Sequence, residues 1–444
     1  MKLTWTRRKK KALITIPTAE EIRANLFEHA AHLGQPMIPG QLEFLRLMDE
    51  RVSKYIAYRA GIGAGKSWIG SHYALEMAAR NPTARGFIAA NTYPQLSQTT
   101  LSTLYEVAAI YGVPIHPRTP EAAAKKKALY LWNRVEVLCR SAEKGGYKLW
   151  DGFKCGWFWL DEPKDMEQAA YRTATERHRD NRADVLQGWM TASPAFNWWG
   201  EIEEDPDVTV VRADTRENLF NPDGYVQTLL SKMSPEMVKQ QIEGLVINTS
   251  TGRCYPNFSR VENGGQFAAA DGKQFIGIDF NVDPGMHAYL IEVRGELVFV
   301  LDEIFIRNGD TPQLAKELER RYGTGIPLIP DAAGGQRHTT GTSDHRILQE
   351  AGFRLQNRPA NPPIKDRLNA VNGRILNALG ERRLFIDDKC RLLRQDLEGC
   401  TWEIMTRSGY HGPLTHPGAA IGYTIERQFP MMAGGFAVRL PKMY

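Results

Sequence analysis

The sequence predicts an α/β protein in two parts: a mostly parallel sheet with helices on both faces, then a second α/β part that opens on three consecutive strands. Three observations predict it. Short apolar runs alternate with helical stretches from YIAYRA at residue 55 to GWFWLDE at residue 156, the pattern of a parallel sheet with crossover helices. The glycine-rich turn AGIGAGKS, residues 60–67, joins one such run to a helix. From residue 274, QFIGIDFN, MHAYLIEVRG and ELVFVLDEIFI read as strands joined by Asp-Pro-Gly and Arg-Gly-Glu turns.

Residues 18–33 and 40–54 come first and have helical apolar spacing. Thr18 followed by Glu21 is a capping-box pair. Strand and helix then alternate through YIAYRA, WIGSHYALEMAAR, RGFIAANT, VEVLCRS and GWFWLDE. Residues 251–273 are turn-rich and carry a Gly-Gly pair. We expect a first domain over 1–250, a linker over 251–273, a second domain over 274–428 and a tail over 429–444. A chain of 444 residues is long for one core, which agrees with two domains.

The hydrophobic and charged fractions, 42% and 24%, are those of an ordinary globular chain. A net charge of +5 permits a nucleic-acid partner without demanding one. Cys139, Cys155, Cys254, Cys390 and Cys400 lack CxxC spacing, which points to a reducing compartment and no zinc site. The basic run at residues 7–11 has no long apolar core after it, which argues against a secretory leader. It reads as a solvated tail, with a nucleic-acid contact as the sharper alternative. No stretch approaches the ~18 apolar residues of a membrane span.

Strand, AGIGAGKS and helix together form the context of a phosphate-binding P-loop. Gly61, Gly63 and Gly65 let backbone N–H groups face phosphate. Lys66 would reach the β- and γ-phosphates of ATP, and Ser67 would hold Mg²⁺. Ala60 stands where the motif has its first glycine. The apolar run CGWFWLDEP ends in two carboxylates. Asp161 would hold Mg²⁺ through its water shell, and Glu162 would polarise the attacking water.

Taken in order, these pieces resemble the large terminase subunit of tailed bacteriophages, the motor and nuclease that packages DNA into capsids. The resemblance covers roughly residues 35–425. PGQLEFLRLM precedes the loop as that family's adenine-recognition segment does, which nominates Gln41. GFIAANTYPQLSQTTLSTL is similar to the segment after the P-loop helix. MTASPAFNWW resembles the coupling motif, with Thr191, Ala192, Ser193 and Pro194. VEVLCRSAEKGGYKLWDG resembles the stretch that carries an arginine finger, which nominates Arg140, with Lys148 and Arg212 as weaker candidates. GLVINTSTGRCYPNF is similar to the segment that enters the nuclease domain.

The resemblance implies a ribonuclease-H-like nuclease domain in the second half. Asp279 in IGIDFN and Asp331 in IPDAAG each end an apolar run. In such nucleases two strand-end aspartates bind a pair of Mg²⁺ or Mn²⁺ ions. The family's third carboxylate comes from a late helix in a pattern like H-x-x-D-A-x-G-Y, and HPGAAIGY has Ala419 in its place. Three readings stay open: the chain was altered to remove cleavage, another group such as His416, Asp302 or Glu303 serves, or a later acid does. Lys365, Arg367, Arg374, Arg382 and Arg383 are candidates to follow a DNA backbone. His338 and His345 read as loop residues before metal ligands.

The implied working form is a homo-oligomeric ring, a pentamer, on the procapsid in the host bacterial cytoplasm. Its implied partners are double-stranded DNA, a portal protein and a small terminase subunit, with no membrane. Two other classes remain. One is a helicase-like DNA translocase whose C-terminal domain binds DNA without cutting. The other is an interaction protein gated by nucleotide.

Overall fold

The computed structural model describes residues 17–248, 251–281, 283–336, 342–407 and 414–430. The basic run at 7–11, His338 and the tail beyond residue 430 lie outside the described residues. The chain forms two compact units. The first is residues 1–222 with 239–247, and the second is residues 223–238 with 248–444.

Eight strands build the sheet of the first unit: β1 (Tyr55–Ala60), β2 (Gly86–Ala90), β3 (Ile115–His116), β4 (Ala128–Leu131), β5 (Glu136–Ser141), β6 (Trp157–Asp161), β7 (Gln187–Ala192) and β8 (Val208–Ala213). Their order is β3-β4-β5-β2-β6-β7-β1-β8. All neighbours are parallel except β3–β4 and β4–β5 at one edge. Every residue of β1, β6 and β7 is buried, as strands covered on both faces must be. Large aromatics fill that cover. Trp157 and Trp189 stack at 5.6 Å, and a Cβ at Gly86 would come within 2.1 Å of the Trp157 ring.

The helix expected from Thr18 is Ala19–His32, with both hydrogen bonds of the capping box formed. The next helix, Pro39–Glu50, ends earlier than the periodicity predicts. Arg51 turns left-handed at φ 52° there, and the chain drops to the edge of β1 through Ser53, whose hydroxyl meets that of Thr209 on β8.

The second unit has β9 (Gly264–Gly265), β10 (Lys273–Asp279), β11 (Gly285–Arg294), β12 (Leu297–Arg307), β13 (Leu328–Pro330) and β14 (Leu384–Asp387), in the order β13-β10-β11-β12-β14-β9. The antiparallel run β10-β11-β12 is the expected meander. β13 adds to it in parallel beside β10. Within the stretch expected as a linker, Cys254, Tyr255 and Phe258 are buried in this unit's core. The helix His416–Gln428 lies so close on β10 that a Cβ at Gly277 would approach the Ala420 carbonyl oxygen to 2.3 Å. Among the described residues, no helix is long and apolar enough to cross a membrane.

Candidate functional site

The loop after β1 is shaped by what surrounds it. A Cβ at Gly61 would stand 2.2 Å from the Thr215 hydroxyl and 2.3 Å from the Ile242 carbonyl oxygen. Gly63 and Gly65 take φ of 76° and 72°, a region that costs other residues energy. Asn218 and Asn221 donate to the Gly63 carbonyl at 2.6 and 3.1 Å. Buried Gln41 donates to the Gly65 carbonyl at 3.1 Å. The helix Lys66–Arg80 starts at the end of the loop, and no side chain caps its N-terminus, so its first N–H groups have no partner within the helix.

Lys66 folds back over the loop. Its Nζ donates to the Gly61 carbonyl at 2.7 Å and to that of Ala60 at 3.3 Å. Burial pulls its ammonium below the ordinary lysine value, with Glu162 opposing. A buried cation on loop carbonyls, beside free helix N–H groups, fits a polyphosphate that would replace those carbonyls. Ser67 is half-buried one residue further on.

Asp161 ends β6 and is clamped by two hydroxyls. Thr100 and Thr191 each donate to one of its oxygens at 2.7 Å, and Trp159 Nε1 donates to the Thr191 hydroxyl at 2.7 Å. Burial, with the Glu162 charge adding to it, raises the Asp161 carboxyl to about 6. Glu162 moves the other way. Burial opposes its charge, but Lys164 and Lys66 outweigh that and hold it below the usual carboxylate range. Glu162 is left-handed at φ 51°, an uncommon state for a residue with a side chain. Its N–H donates to the Thr191 carbonyl at 2.7 Å, and the Ser193 N–H donates to its Oε2 at 3.3 Å. Two of the expected coupling residues thus touch the carboxylates, Thr191 on Asp161 and Ser193 on Glu162; Thr191 and Ala192 end β7, and Ser193 and Pro194 follow.

Arg140 is not brought to this loop. It lies near the end of β5, three strands from β7 through β2 and β6. Its guanidinium donates to the carbonyls of Lys127 and Cys139. Arg212 pairs with Glu203 at 2.8 Å. Lys148 is exposed in the segment Glu143–Gly152.

In the second unit the two aspartates are neighbours. Ile278 pairs with Pro330, and the Asp331 N–H donates to the Ile278 carbonyl at 2.9 Å. Strand alternation puts Phe275, Gly277 and Asp279 on one face of β10. The helix His416–Gln428 covers that face. His416, Ala419 and Tyr423 form one stripe along it, at i, i+3 and i+7. His416 Nδ1 meets Asp279 Oδ2 at 2.9 Å, and the Tyr423 hydroxyl donates to Oδ1 at 3.4 Å. Ala419 lies between them, packed with Phe275, Ile329 and Tyr423. A carboxylate at 419 would therefore face the aspartate pair.

The residues present do not make a cage for two divalent ions. They supply two carboxylates, one of whose oxygens is held by an imidazole. Among the described residues, no group of three His, Cys, Asp or Glu is placed to hold a metal. Asp302 and Glu303, expected as accessory ligands, are elsewhere. Asp279 is level with His287 and Phe305, whereas Asp302 and Glu303 face Leu290 and Tyr289 further down the meander. Asp302 accepts from Tyr322 and Arg321, and Glu303 accepts from the N–H groups of Leu392 and Leu393. His345 supports the Asp331 carbonyl at 2.8 Å.

The expected basic track is not formed either. Arg374 and Arg383 pair with Glu296, and Arg382 pairs with Glu262. Arg367 is buried over the Tyr423 ring at 4.8 Å. Lys365 alone of the five is exposed. Their sequence spacing resembled a phosphate-binding face, but the four arginines make ion pairs and ring contacts within the unit.

Sequence reasoning missed Thr100, Lys164, Asn218, Asn221 and Asp396. Lys164 stood two residues after Glu162, so proximity was a usable signal. Thr100 ends the π-helical turn Leu96–Thr100, a geometry the sequence does not announce. Asp396 accepts from the N–H groups of Thr415 and Gly418 at 2.7 and 2.6 Å and so caps the helix that carries Ala419.

Residues 57–261 match the family described as terminase large subunit, T4likevirus-type, N-terminal. The whole chain is similar in fold to the large terminase of a thermophilic bacteriophage. The TM-score is 0.65 at 14% identity, over 88% of this chain and 99% of that one. Two further structures of that phage protein give 0.64 at 15% identity with ADP and 0.63 at 16% with ATP-γ-S, over the same shares. No curated protein matches the chain. The likeness extends across both units, so the first is a P-loop NTPase fold and the second a ribonuclease-H-like fold.

Proposed function

We propose that the chain is a large terminase subunit, an ATP-driven motor for packaging double-stranded DNA, with a phosphodiester-cleaving centre in which one carboxylate is missing; the family match over residues 57–261 and the likeness in fold across both units support this reading. The observation that carries the motor reading is the contact of Asp161 with Thr191 and of Glu162 with Ser193.

ATP would bind over Gly61, Gly63 and Gly65, with Lys66 released from its loop carbonyls onto the β- and γ-phosphates. Gln41 would be near enough to read the base. Mg²⁺, held by Ser67 and Asp161, would spread the phosphate charge. Glu162, kept as a carboxylate by its lysine neighbours, orients the attacking water and accepts its proton. Arg140 of a neighbouring subunit would approach the transferred phosphoryl group. Any shift of Glu162 on phosphate release reaches Ser193 and Thr191 directly, and through them the segment 191–194. A procapsid-bound ring, a portal protein and a small subunit are the partners this reading calls for. The host cytoplasm is its setting.

In the second unit Asp279 and Asp331 would face the scissile phosphodiester. Ala419 favours one rival reading, a translocase whose second domain grips DNA without cutting it. Two assays decide. ATP hydrolysis should be present and be abolished by Lys66→Ala and Glu162→Gln; persistence in either variant would sink the motor reading. Plasmid cleavage with Mn²⁺ should be absent, appear in Ala419→Asp, and vanish again when Asp279→Asn is added. If neither chain cuts and the protein displaces strands from a tailed duplex, the translocase reading replaces this one.

A further inference from the structure

In the scheme above Lys164 only helps to keep Glu162 charged, yet it also touches the group on which hydrolysis depends. Its Nζ lies 2.7 Å from Glu162 Oε2. The same oxygen receives the Ser193 N–H, and among the described residues no hydrogen bond reaches Oε1. One oxygen of Glu162 is thus held by two donors, and the other is left for water.

The turn that carries Lys164 is tied to the same stretch of chain. Glu162 is left-handed, and Pro163–Asp165 form a single 3₁₀ turn closed by the Asp165 N–H on the Glu162 carbonyl at 3.1 Å. Asn197 Nδ2 donates to the Lys164 carbonyl at 2.8 Å, and Trp198 Nε1 donates to that of Met166 at 2.8 Å. Residues 193–198 therefore fix both donors of Glu162 Oε2: Ser193 directly, and Lys164 through its backbone.

We propose that Lys164 is a positioning residue for ATP hydrolysis. It orients Glu162 through Oε2, so that the aim of the carboxylate follows the segment after β7. This inference rests on the ATPase reading above. Lys164 contacts neither nucleotide nor water in it; its ammonium acts through Glu162. A side chain that fixes the angle of a water-orienting group affects turnover more than substrate binding.

Steady-state ATP hydrolysis and fluorescent ADP binding, measured on the full chain, test it. Lys164→Ala should lower kcat about tenfold to a hundredfold, with KM and ADP affinity changed less than about threefold. Lys164→Arg should recover much of the loss, because its guanidinium can reach the same oxygen. An unchanged kcat in Lys164→Ala overturns the proposal while leaving the ATPase reading intact. So does a loss of ADP affinity equal to the loss of kcat, which would place Lys164 on phosphate. No hydrolysis by the unsubstituted chain overturns the ATPase reading and this inference with it.

Discussion

Ala419 shows how much one residue decides. It sits between His416 and Tyr423 on the stripe that faces Asp279. An aspartate there would be buried beside two other carboxylates, which repel it unless cations are present. We expect Ala419→Asp to lower the thermal midpoint in EDTA, and Mn²⁺ to raise it in that variant but scarcely in the parent chain, read by differential scanning fluorimetry. An equal Mn²⁺ response in both chains would mean that position 419 does not complete the site. Asp396 is a second case. Burial raises its carboxyl to about 6, against the pull of the Thr415 and Gly418 N–H groups. The folded protein thus binds this proton more tightly than the unfolded chain does. Its contribution to stability is full below about pH 4 and is lost as the pH rises through about 6. Asp396→Asn removes the charge and keeps one of the two oxygen acceptors, so it costs a fixed amount at every pH while losing the titration. Its midpoint relative to the parent should therefore rise from pH 4 to pH 7; a constant difference would contradict the assignment.

At the scale of elements, close approach sets the geometry of the aspartate face. The helix His416–Gln428 reaches β10 only because residue 277 has no Cβ. One there would meet the Ala420 carbonyl oxygen at 2.3 Å and the Thr424 hydroxyl at 2.8 Å. Gly277→Ala should push the helix off the sheet and destabilise the second unit by about 1–3 kcal/mol, seen as an earlier transition in urea. The shift should be larger than for an alanine at the exposed loop residue Gly325, where a Cβ meets nothing within 4 Å. The first unit uses the same device at its phosphate loop. A Cβ at Gly61 has no room beside Thr215 and Ile242, so Gly61→Ala should cost about a hundredfold in ATP turnover.

At the scale of the whole molecule, the loop, Asp161 and Glu162 come from β1, β6 and the turns after them. The candidate finger Arg140 is anchored on β5, away from the loop. A finger so placed would serve a neighbouring copy. Mixing Arg140→Ala with Lys66→Ala should restore ATP hydrolysis that neither variant shows alone, since a mixed ring contains intact loops facing intact arginines. No recovery on mixing would assign the finger to another residue.

What was legible in the sequence follows from local rules. Three clustered glycines, a lysine after them and an apolar run ending in Asp-Glu announce the loop and its carboxylates, because each needs only its own neighbours in the chain. The capping box at Thr18 and the meander from residue 273 are local in the same sense. Resemblance supplied the coupling residues and the gap at 419. The tertiary structure decided the rest. It decided that β7 lies between β1 and β6, that Thr100 clamps Asp161 from a distant turn, and that Asp302 and Glu303 fall below the level of Asp279. It also decided that the arginines between 367 and 383 are spent on glutamates and ring packing. Charge and spacing say what a side chain can bind. Only the sheet order and the packing around it determine which partner reaches it first, because a desolvated charge takes the nearest opposite charge or ring the fold brings to it.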